Sequence, residues 1–248
     1  MPTENVSIST SKPWNVFVTD DNIYYGYEWN STNGIRKLTS NHISVLETCL
    51  YCYDIFVDIY NNIYCSLNSG HQVIRKSLNN GSDRVQVVAG TGYAGSTSYT
   101  LDGAGGIFVD TNSDLYVADH FNSRVQLFPS GQLEGITVVG SGSYSPTITL
   151  NRPTGVILDA NKYLFVVDYM NDRIVGDGLF GFRCLVGCNG SGPGSDQLQR
   201  PRSMSFDSFG NMFVADELNH RIQKFALMFN SCSRSTLDKK IRFYMVYF

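Results

Sequence analysis

Three short stretches of the chain carry Asp, Asn and Arg in the same order and at the same spacing. In each, Asn follows the Asp by three residues and Arg follows it by five; the sets are Asp119, Asn122 and Arg124, then Asp168, Asn171 and Arg173, then Asp216, Asn219 and Arg221. Such a group around a tight turn could bind an anion or a metal ion. A functional site normally breaks a repeat, however, and this group recurs in register. Because Asp and Asn satisfy turn backbone groups and Arg pairs with carboxylates, we predict a structural motif that holds no metal.

Cysteines are a second source of metal or redox chemistry. Two close pairs occur, Cys49 with Cys52 and Cys184 with Cys188. A structural zinc site needs four converging ligands, and these pairs lie far apart along the chain, so we predict no zinc. A disulfide within either pair is the alternative in an extracellular setting. The cysteines expected to stay unpaired are Cys65, in a core strand, and Cys232.

The Asp-Asn-Arg groups belong to a longer repeat. The stretch GIFVDTNSDLYVADHFNSRVQLF begins at Gly106, and related stretches begin at Gly155 and Ser203. The acidic residues that end the first apolar run of each copy, spaced by 52, 49 and 48 residues, are Asp58, Asp110, Asp159 and Asp207. A weaker copy places Thr19 at this point, 39 residues before Asp58. A period of about 40 to 50 residues indicates a stacked or radial repeat architecture.

Each repeat is divided into apolar runs that are too short for helices. In the third copy these runs are IFVD, LYVA, RVQLF and ITVV, with Asn, Asp, Ser and Gly between them. Short runs of this kind are typical of strands joined by tight turns. No helical apolar period of useful length is present. Four short strands per repeat predict one blade of a β-propeller, and the chain is therefore predicted to be all-β.

The motif resembles a known family at this point. The string VADELNHRIQKF, from Val214, together with the preceding Gly-x-x-x-Asp strand and a VVAGTG-like strand, is similar to the NHL repeat. The resemblance covers roughly residues 13 to 226 and is strongest from about residue 85 onward. It implies a β-propeller, which in this family usually has six blades.

About five four-stranded NHL-type blades are predicted, at residues 13–45, 54–90, 103–140, 151–187 and 200–228. Residues 1–12 are expected to form an N-terminal segment that could supply a closing strand, and residues 229–248 form an atypical tail. No sixth copy of the repeat follows, so the alternative is an open or truncated six-bladed ring. The apolar end of the tail is expected to pair with the last blade or with the N-terminal segment.

Composition narrows the function classes. Charged residues make up 17% of the chain, against about 25% in an average soluble protein, and the formal net charge is −3. A general binder of phosphate backbones is expected to be basic, which disfavours nucleic acid. No apolar run approaches the roughly 20 residues that span a bilayer, and no signal peptide is seen. We expect a soluble protein without membrane contact; the low charge favours an extracellular setting, and localisation otherwise stays open.

The positions of the histidines indicate whether the chain could be a metal-dependent enzyme. The resemblance includes peptide-amidating lyases, which hold zinc with three His in the central channel, and calcium-dependent lactonase-like propellers, which use Asp, Asn and Glu. The four histidines here are His42, His71, His120 and His220. None lies next to a predicted innermost strand, so the zinc ligands of a lyase are not found, and we predict no catalytic residue and no cofactor.

What remains is a surface that varies between blades. In a propeller, the linker before each innermost strand and the loop after each second strand project on the same face. The candidate binding residues on that face are His120, Phe121, Arg152, Tyr169, Met170, Arg200, Arg202, Glu217 and Leu218. Aromatic residues mixed with Arg are typical of protein contacts. We predict a non-catalytic scaffold that binds a protein or peptide; the alternatives are a metal-dependent lyase-like or lactonase-like enzyme and an RNA-binding NHL domain.

Overall fold

The computed structural model describes residues 13–18, 23–27, 35–39, 42–46, 52–79, 84–144, 148–178, 181–228 and 242–245. These residues form five four-stranded antiparallel sheets, in each of which the strands follow one another in chain order. The strands are β1 (Pro13–Val18), β2 (Ile23–Tyr27), β3 (Ile35–Thr39), β4 (His42–Leu46), β5 (Cys52–Val57), β6 (Asn62–Leu67), β7 (Gln72–Ser77), β8 (Val85–Gly90), β9 (Ala104–Val109), β10 (Leu115–Asp119), β11 (Arg124–Phe128), β12 (Ile136–Gly140), β13 (Gly155–Leu158), β14 (Leu164–Asp168), β15 (Arg173–Gly176), β16 (Arg183–Val186), β17 (Pro201–Phe206), β18 (Met212–Asp216), β19 (Arg221–Met228) and β20 (Arg242–Met245).

The fold is an all-β, propeller-like arrangement of four-stranded sheets. Side chains are described for the second to fifth sheets up to β19, whereas the first sheet is described by its backbone and by the side chain of Phe17. Packed side chains therefore show four blades, and the five blades predicted from the sequence depend on the backbone strands of the first sheet. Residues 1–12, and with them the predicted closing strand, lie outside the described residues.

The last sheet takes its outermost strand from the tail. β19 pairs with β20, with Ala226 opposite Tyr244 and Leu227 opposite Phe243. The boundary predicted at residue 228 therefore falls between the third and fourth strands of this sheet, and the tail pairs with the last blade, which is one of the two pairings expected from the sequence. The residues between these two strands lie outside the described ranges.

Successive sheets pack face to face through apolar clusters. Val125 of β11 and Val166 of β14 belong to one cluster between the third and fourth sheets. Ile174 of β15 and Val214 of β18 belong to the next cluster, between the fourth and fifth sheets. β14 is buried at every residue, which explains its continuous apolar sequence: a strand covered on both faces does not alternate.

The Asp that ends each innermost strand closes the turn into the second strand. Oδ1 of Asp110 accepts hydrogen bonds from the backbone N–H groups of Asn112 and Asp114, at 2.8 and 2.9 Å. The residues that make the same pair of bonds are Asp58, Asp159 and Asp207. This side-chain turn is the local reason why a short carboxylate recurs at this point.

Helical structure in the described residues is limited to two 3-10 turns, Tyr169–Asn171 and Glu217–Asn219. Each turn follows the second strand of its sheet and ends on a left-handed residue, Asp172 or His220. No helix among the described residues is long and apolar enough to cross a membrane.

Candidate functional site

The three Asp-Asn-Arg groups form one repeated hydrogen-bonded arrangement. In the third sheet, Oδ1 of Asp119 accepts the backbone N–H of Asp102 at 2.7 Å. Oδ2 of Asp119 accepts Nδ2 of Asn122 at 2.9 Å and Nε of Arg124 at 2.7 Å. The other carboxylates with equivalent partners are Asp168 and Asp216. All three carboxylates are fully buried, so their charge is neutralised by these protein donors.

The guanidinium of each motif also reaches the linker that enters its sheet. Arg124 donates to the carbonyls of Ser96 and Thr97, at 2.9 and 2.8 Å. Arg221 makes equivalent bonds to Pro193 and Gly194, both at 2.8 Å. The motif thus joins the turn after the second strand to the linker between sheets, which supports the structural interpretation. Among the described residues, no three His, Cys, Asp or Glu side chains gather as metal ligands.

Loops and linkers lie side by side at one end of the third, fourth and fifth sheets. The loop after the second strand donates a backbone N–H to a carbonyl of the linker before the first strand. Phe121 donates in this way to Asp102, and Leu218 donates to Gln199. The structure brings eight of the nine candidate residues into a chain of contacts that we call the arginine–aromatic surface. Its members are His120, Phe121, Arg152, Tyr169, Met170, Arg200, Arg202 and Glu217. Leu218 is exposed in the same turn as Glu217.

Part of this surface follows the repeat. The guanidinium of Arg152 lies over the ring of Phe121, 5.5 Å from its centroid. At the same position in the next repeat, Arg200 contacts the sulfur of Met170. A contact that recurs between consecutive sheets in this way is typical of blade packing.

The remainder of the surface departs from the repeat and centres on Arg202. Its guanidinium lies 5.0 Å from the ring centroid of Tyr169 and donates two hydrogen bonds to Glu217, at 2.8 and 3.2 Å. Arg202 also shares a hydrogen bond with the hydroxyl of Tyr53, from the second sheet. The residues at the place of Arg202 in the three preceding repeats are Tyr53, Gly105 and Thr154. Among the described residues this cluster therefore occurs in the fifth sheet alone. It joins the second, fourth and fifth sheets.

His120 is half-buried within this surface. Its Nδ1 lies 3.1 Å from the carbonyl oxygen of Pro153, and its ring lies 6.4 Å from that of Tyr169, centroid to centroid. Burial lowers the pKa of His120, and the Pro153 carbonyl opposes this by favouring the protonated ring.

The innermost strands of all five sheets line a central cavity of about 730 Å³. Its walls are formed by Phe17, Tyr53, Asp54, Ile55, Phe56, Ile107, Phe108, Thr154, Gly155, Val156, Ile157, Arg202, Ser203, Met204, Ser205, Phe213, Ala215, Glu217 and Ile222. Three of its rings form a row: Phe17 lies 5.0 Å from Phe56, which lies 5.1 Å from Phe108, centroid to centroid. The size lies within the range of about 300 to 1,000 Å³ of small-molecule sites.

Asp54 is a cavity residue that the sequence did not single out. Its Oδ2 accepts the backbone N–H of Ile107 at 2.8 Å, which links β5 to β9, and its Oδ1 accepts the N–H of Ile55 at 2.9 Å. Burial raises the pKa of Asp54 to about 6, against these two hydrogen bonds. Equivalent positions in the next two repeats are Gly106 and Gly155, so the available signal was a charged residue where other copies carry Gly.

The cysteine pairing differs from the prediction at one site. Cys52 forms a disulfide with Cys65 across β5 and β6, and Cys184 forms one with Cys188. The prediction that Cys65 is unpaired is therefore wrong: pairing of neighbouring strands brings the Cα atoms of Cys52 and Cys65 to 5.3 Å. The predicted alternative of a disulfide between Cys184 and Cys188 is confirmed. Cys49 and Cys232 lie outside the described residues.

Comparison with known proteins identifies the fold. No family model matches the chain, and no curated protein matches it. A solved streptogramin B lyase is similar with a TM-score of 0.62 and 14% identity, over 90% of this chain and 68% of that one. An auxiliary nutrient binding protein from Bacteroides thetaiotaomicron is similar with a TM-score of 0.67 and 16% identity, over 88% of this chain and 60% of that one. The nidogen/laminin complex contains a match with a TM-score of 0.58 and 17% identity, over 78% of this chain and 70% of that one.

These neighbours are β-propeller proteins and include both an enzyme and binding proteins. At identities of 14 to 17% the likeness shows the fold alone. The chain spans 60% of the length of the nutrient binding protein. The NHL repeat stays a prediction from the sequence motif.

Proposed function

We propose that the chain is a non-catalytic binding module whose arginine–aromatic surface takes a protein or peptide segment. The observation that carries this proposal is the cluster of Tyr169, Arg202, Glu217 and Tyr53, which departs from the repeat, whereas the neighbouring Arg152–Phe121 and Arg200–Met170 contacts follow it. Arg and Tyr are the residue types that contribute most to protein interfaces. Ion pairs and stacking hold these side chains in place before a partner arrives, which lowers the entropy cost of binding.

The charge of the surface indicates the kind of segment it takes. Arg152, Arg200 and Arg202 lie on it with a single carboxylate, Glu217, which already pairs with Arg202. An acidic peptide with an aromatic residue would meet two guanidinium groups and could stack on the exposed ring of Phe121. We therefore expect acidic and aromatic residues in the bound segment.

The proposal also includes the number of blades and the compartment. All five sheets serve as NHL-type blades of one propeller, and the protein works in an oxidising, extracellular compartment. The support for the compartment is the two disulfides, since such bonds persist mainly outside the reducing cytosol.

Selection from a displayed peptide library tests the binding proposal. We expect the purified chain to enrich acidic, aromatic peptides, and Tyr169→Ala to weaken a selected peptide by about tenfold or more, since every 1.4 kcal/mol changes affinity tenfold. The matched control is Phe209→Ala, which removes an exposed ring from the turn between β17 and β18, at the opposite end of the sheet. No enrichment, or equal binding by wild type and Tyr169→Ala, would contradict the proposal.

Two alternative functions have tests of their own. A lyase is among the structural neighbours, so the enzyme alternative is tested as well: a metal-dependent enzyme would show one stoichiometric bound calcium or zinc ion in native mass spectrometry. The three Arg residues of the surface favour RNA, which would show as a steep loss of affinity with rising salt.

A further inference from the structure

Asp54 is a carboxylate in the central cavity that has no cationic partner among the described residues. The ion pairs between described residues do not include it, and burial is what dominates its pKa, with no contribution from a positive charge. Of the charged groups on the cavity wall, Arg202 and Glu217 satisfy each other. Asp54 is thus the carboxylate of the wall that no described cation neutralises.

The carboxylate has room to accept more hydrogen bonds. Each oxygen takes one backbone N–H, from Ile107 or from Ile55, whereas an ionised carboxyl offers about four acceptor positions. A half-buried carboxylate in an apolar environment is stabilised more by a cation than a surface carboxylate is, because the local dielectric is low.

The row of phenylalanine rings begins two residues along the same strand from this carboxylate. Asp54 and Phe56 are two residues apart on β5 and both line the cavity, so they are separated by about 7 Å along the strand. The ring of Phe56 packs against that of Phe17 on one side and that of Phe108 on the other, with centroids 5.0 and 5.1 Å apart. The cavity therefore offers an anion and an apolar ring site at a fixed separation.

We propose that the central cavity binds a small molecule in which an ammonium group and an apolar, preferably aromatic, ring are joined by a short chain. The ammonium group donates to the Asp54 carboxylate, and the ring packs against Phe56 and Phe108. The cavity shares Arg202 and Glu217 with the arginine–aromatic surface. Asp54 and the row of phenylalanine rings lie outside that surface, so variants of these residues test the small-molecule site separately from a peptide partner.

Two matched probes test the proposal by isothermal titration at pH 7.5. 2-Phenylethylamine carries a ring and an ammonium group on a two-carbon chain, and 2-phenylethanol replaces the ammonium with a hydroxyl. We expect the amine to bind at least about tenfold more tightly. Equal binding of the two probes, or binding of neither, would overturn the proposal.

Asp54→Asn tests the role of the carboxylate. The amide keeps the shape of the side chain but removes the charge, so the preference for the amine is expected to disappear. The control is Asp114→Asn, which removes a half-buried carboxylate outside the cavity that accepts one backbone N–H, from Ser130 at 2.9 Å. A preference that persists in Asp54→Asn would overturn the assignment.

A second variant keeps the test decisive if Asp54→Asn does not fold, since Asp54 links two innermost strands. Ser205 stands in β17 at the place of Phe56 and Phe108 and lines the cavity. Ser205→Phe should fill the ring site and weaken both probes at least about tenfold, whereas Ser208→Phe adds the same ring in the turn outside it. Unchanged binding by Ser205→Phe would overturn the proposal.

Discussion

At the scale of single residues, the same side-chain type serves the chain in three different ways. Asp119, Asp168 and Asp216 are fully buried and neutralised by Arg and Asn. Asp110 and its equivalents close turns through backbone N–H groups. Asp54 lies in the central cavity and keeps unused acceptor positions. The surroundings of a carboxylate therefore separate structural from candidate binding residues, which its type alone does not do.

Asp168→Ala is expected to destabilise the fold rather than to affect a ligand. The change leaves the Arg173 guanidinium and the backbone N–H of Asn151 without their shared acceptor. Breaking one partner of a buried pair lowers the free energy of unfolding by about 3 kcal/mol or more. Thermal and urea denaturation measure this loss.

The control for this prediction is Asp196→Ala, at an exposed carboxylate that bonds Asn189. A surface change of this kind is expected to stay within about 0.5 kcal/mol. If Asp168→Ala melted like the wild type, the scaffold interpretation of the Asp-Asn-Arg motif would be wrong.

At the scale of elements, two disulfides stabilise the strands, and they close loops of different length. The disulfide between Cys52 and Cys65 spans 13 residues and joins β5 to β6. The one between Cys184 and Cys188 spans four residues, from β16 into the following linker. The first restricts a whole hairpin of the unfolded chain and the second only a short turn.

Removing the longer link should therefore cost more stability. Replacing Cys52 and Cys65 together by Ala is expected to lower the free energy of unfolding by about 3 kcal/mol, and replacing Cys184 and Cys188 by about 2 kcal/mol, from the loop lengths closed. Urea unfolding of the two double variants gives both values. A larger loss from the shorter link would show that loop closure does not determine the order.

At the scale of the whole molecule, the fifth sheet differs from those before it. Ile174 in β15 is 0% exposed, because the fifth sheet packs on it through Val214 and Leu198. Its equivalent in the last repeat, Ile222 in β19, is 73% exposed and borders the central cavity. The face that is covered in the fourth sheet is therefore open to solvent at this point of the fifth.

This difference predicts unequal effects of the same substitution. Ile174→Ala is expected to lower the free energy of unfolding by about 2 to 5 kcal/mol, as large-to-small core changes do. Ile222→Ala is expected to stay within about 0.5 kcal/mol. Chemical denaturation of both variants measures the contrast, and a large loss at Ile222 would mean that this face is covered in solution.

Most of the fold could be predicted from the sequence because its determinants are local. Asp110 and its equivalents determine the turns, and short runs of β-forming residues determine the strands. The repeat and the all-β class can therefore be predicted from a stretch of about 50 residues. The loop residues from His120 to Glu217 could be placed on one face for the same reason: loops and linkers alternate regularly between the ends of a blade.

Only the tertiary structure decided which of these residues meet across the molecule. Cys65 finds Cys52 because two strands pair, and Arg202 meets Tyr53 because the fifth sheet approaches the second. Asp54 becomes a cavity carboxylate because five innermost strands converge. The repeated sequence pattern reflects the turns and strand pairs within each blade. Contacts between distant blades depend instead on how the sheets are arranged around the cavity, and residues close together in sequence do not determine that arrangement.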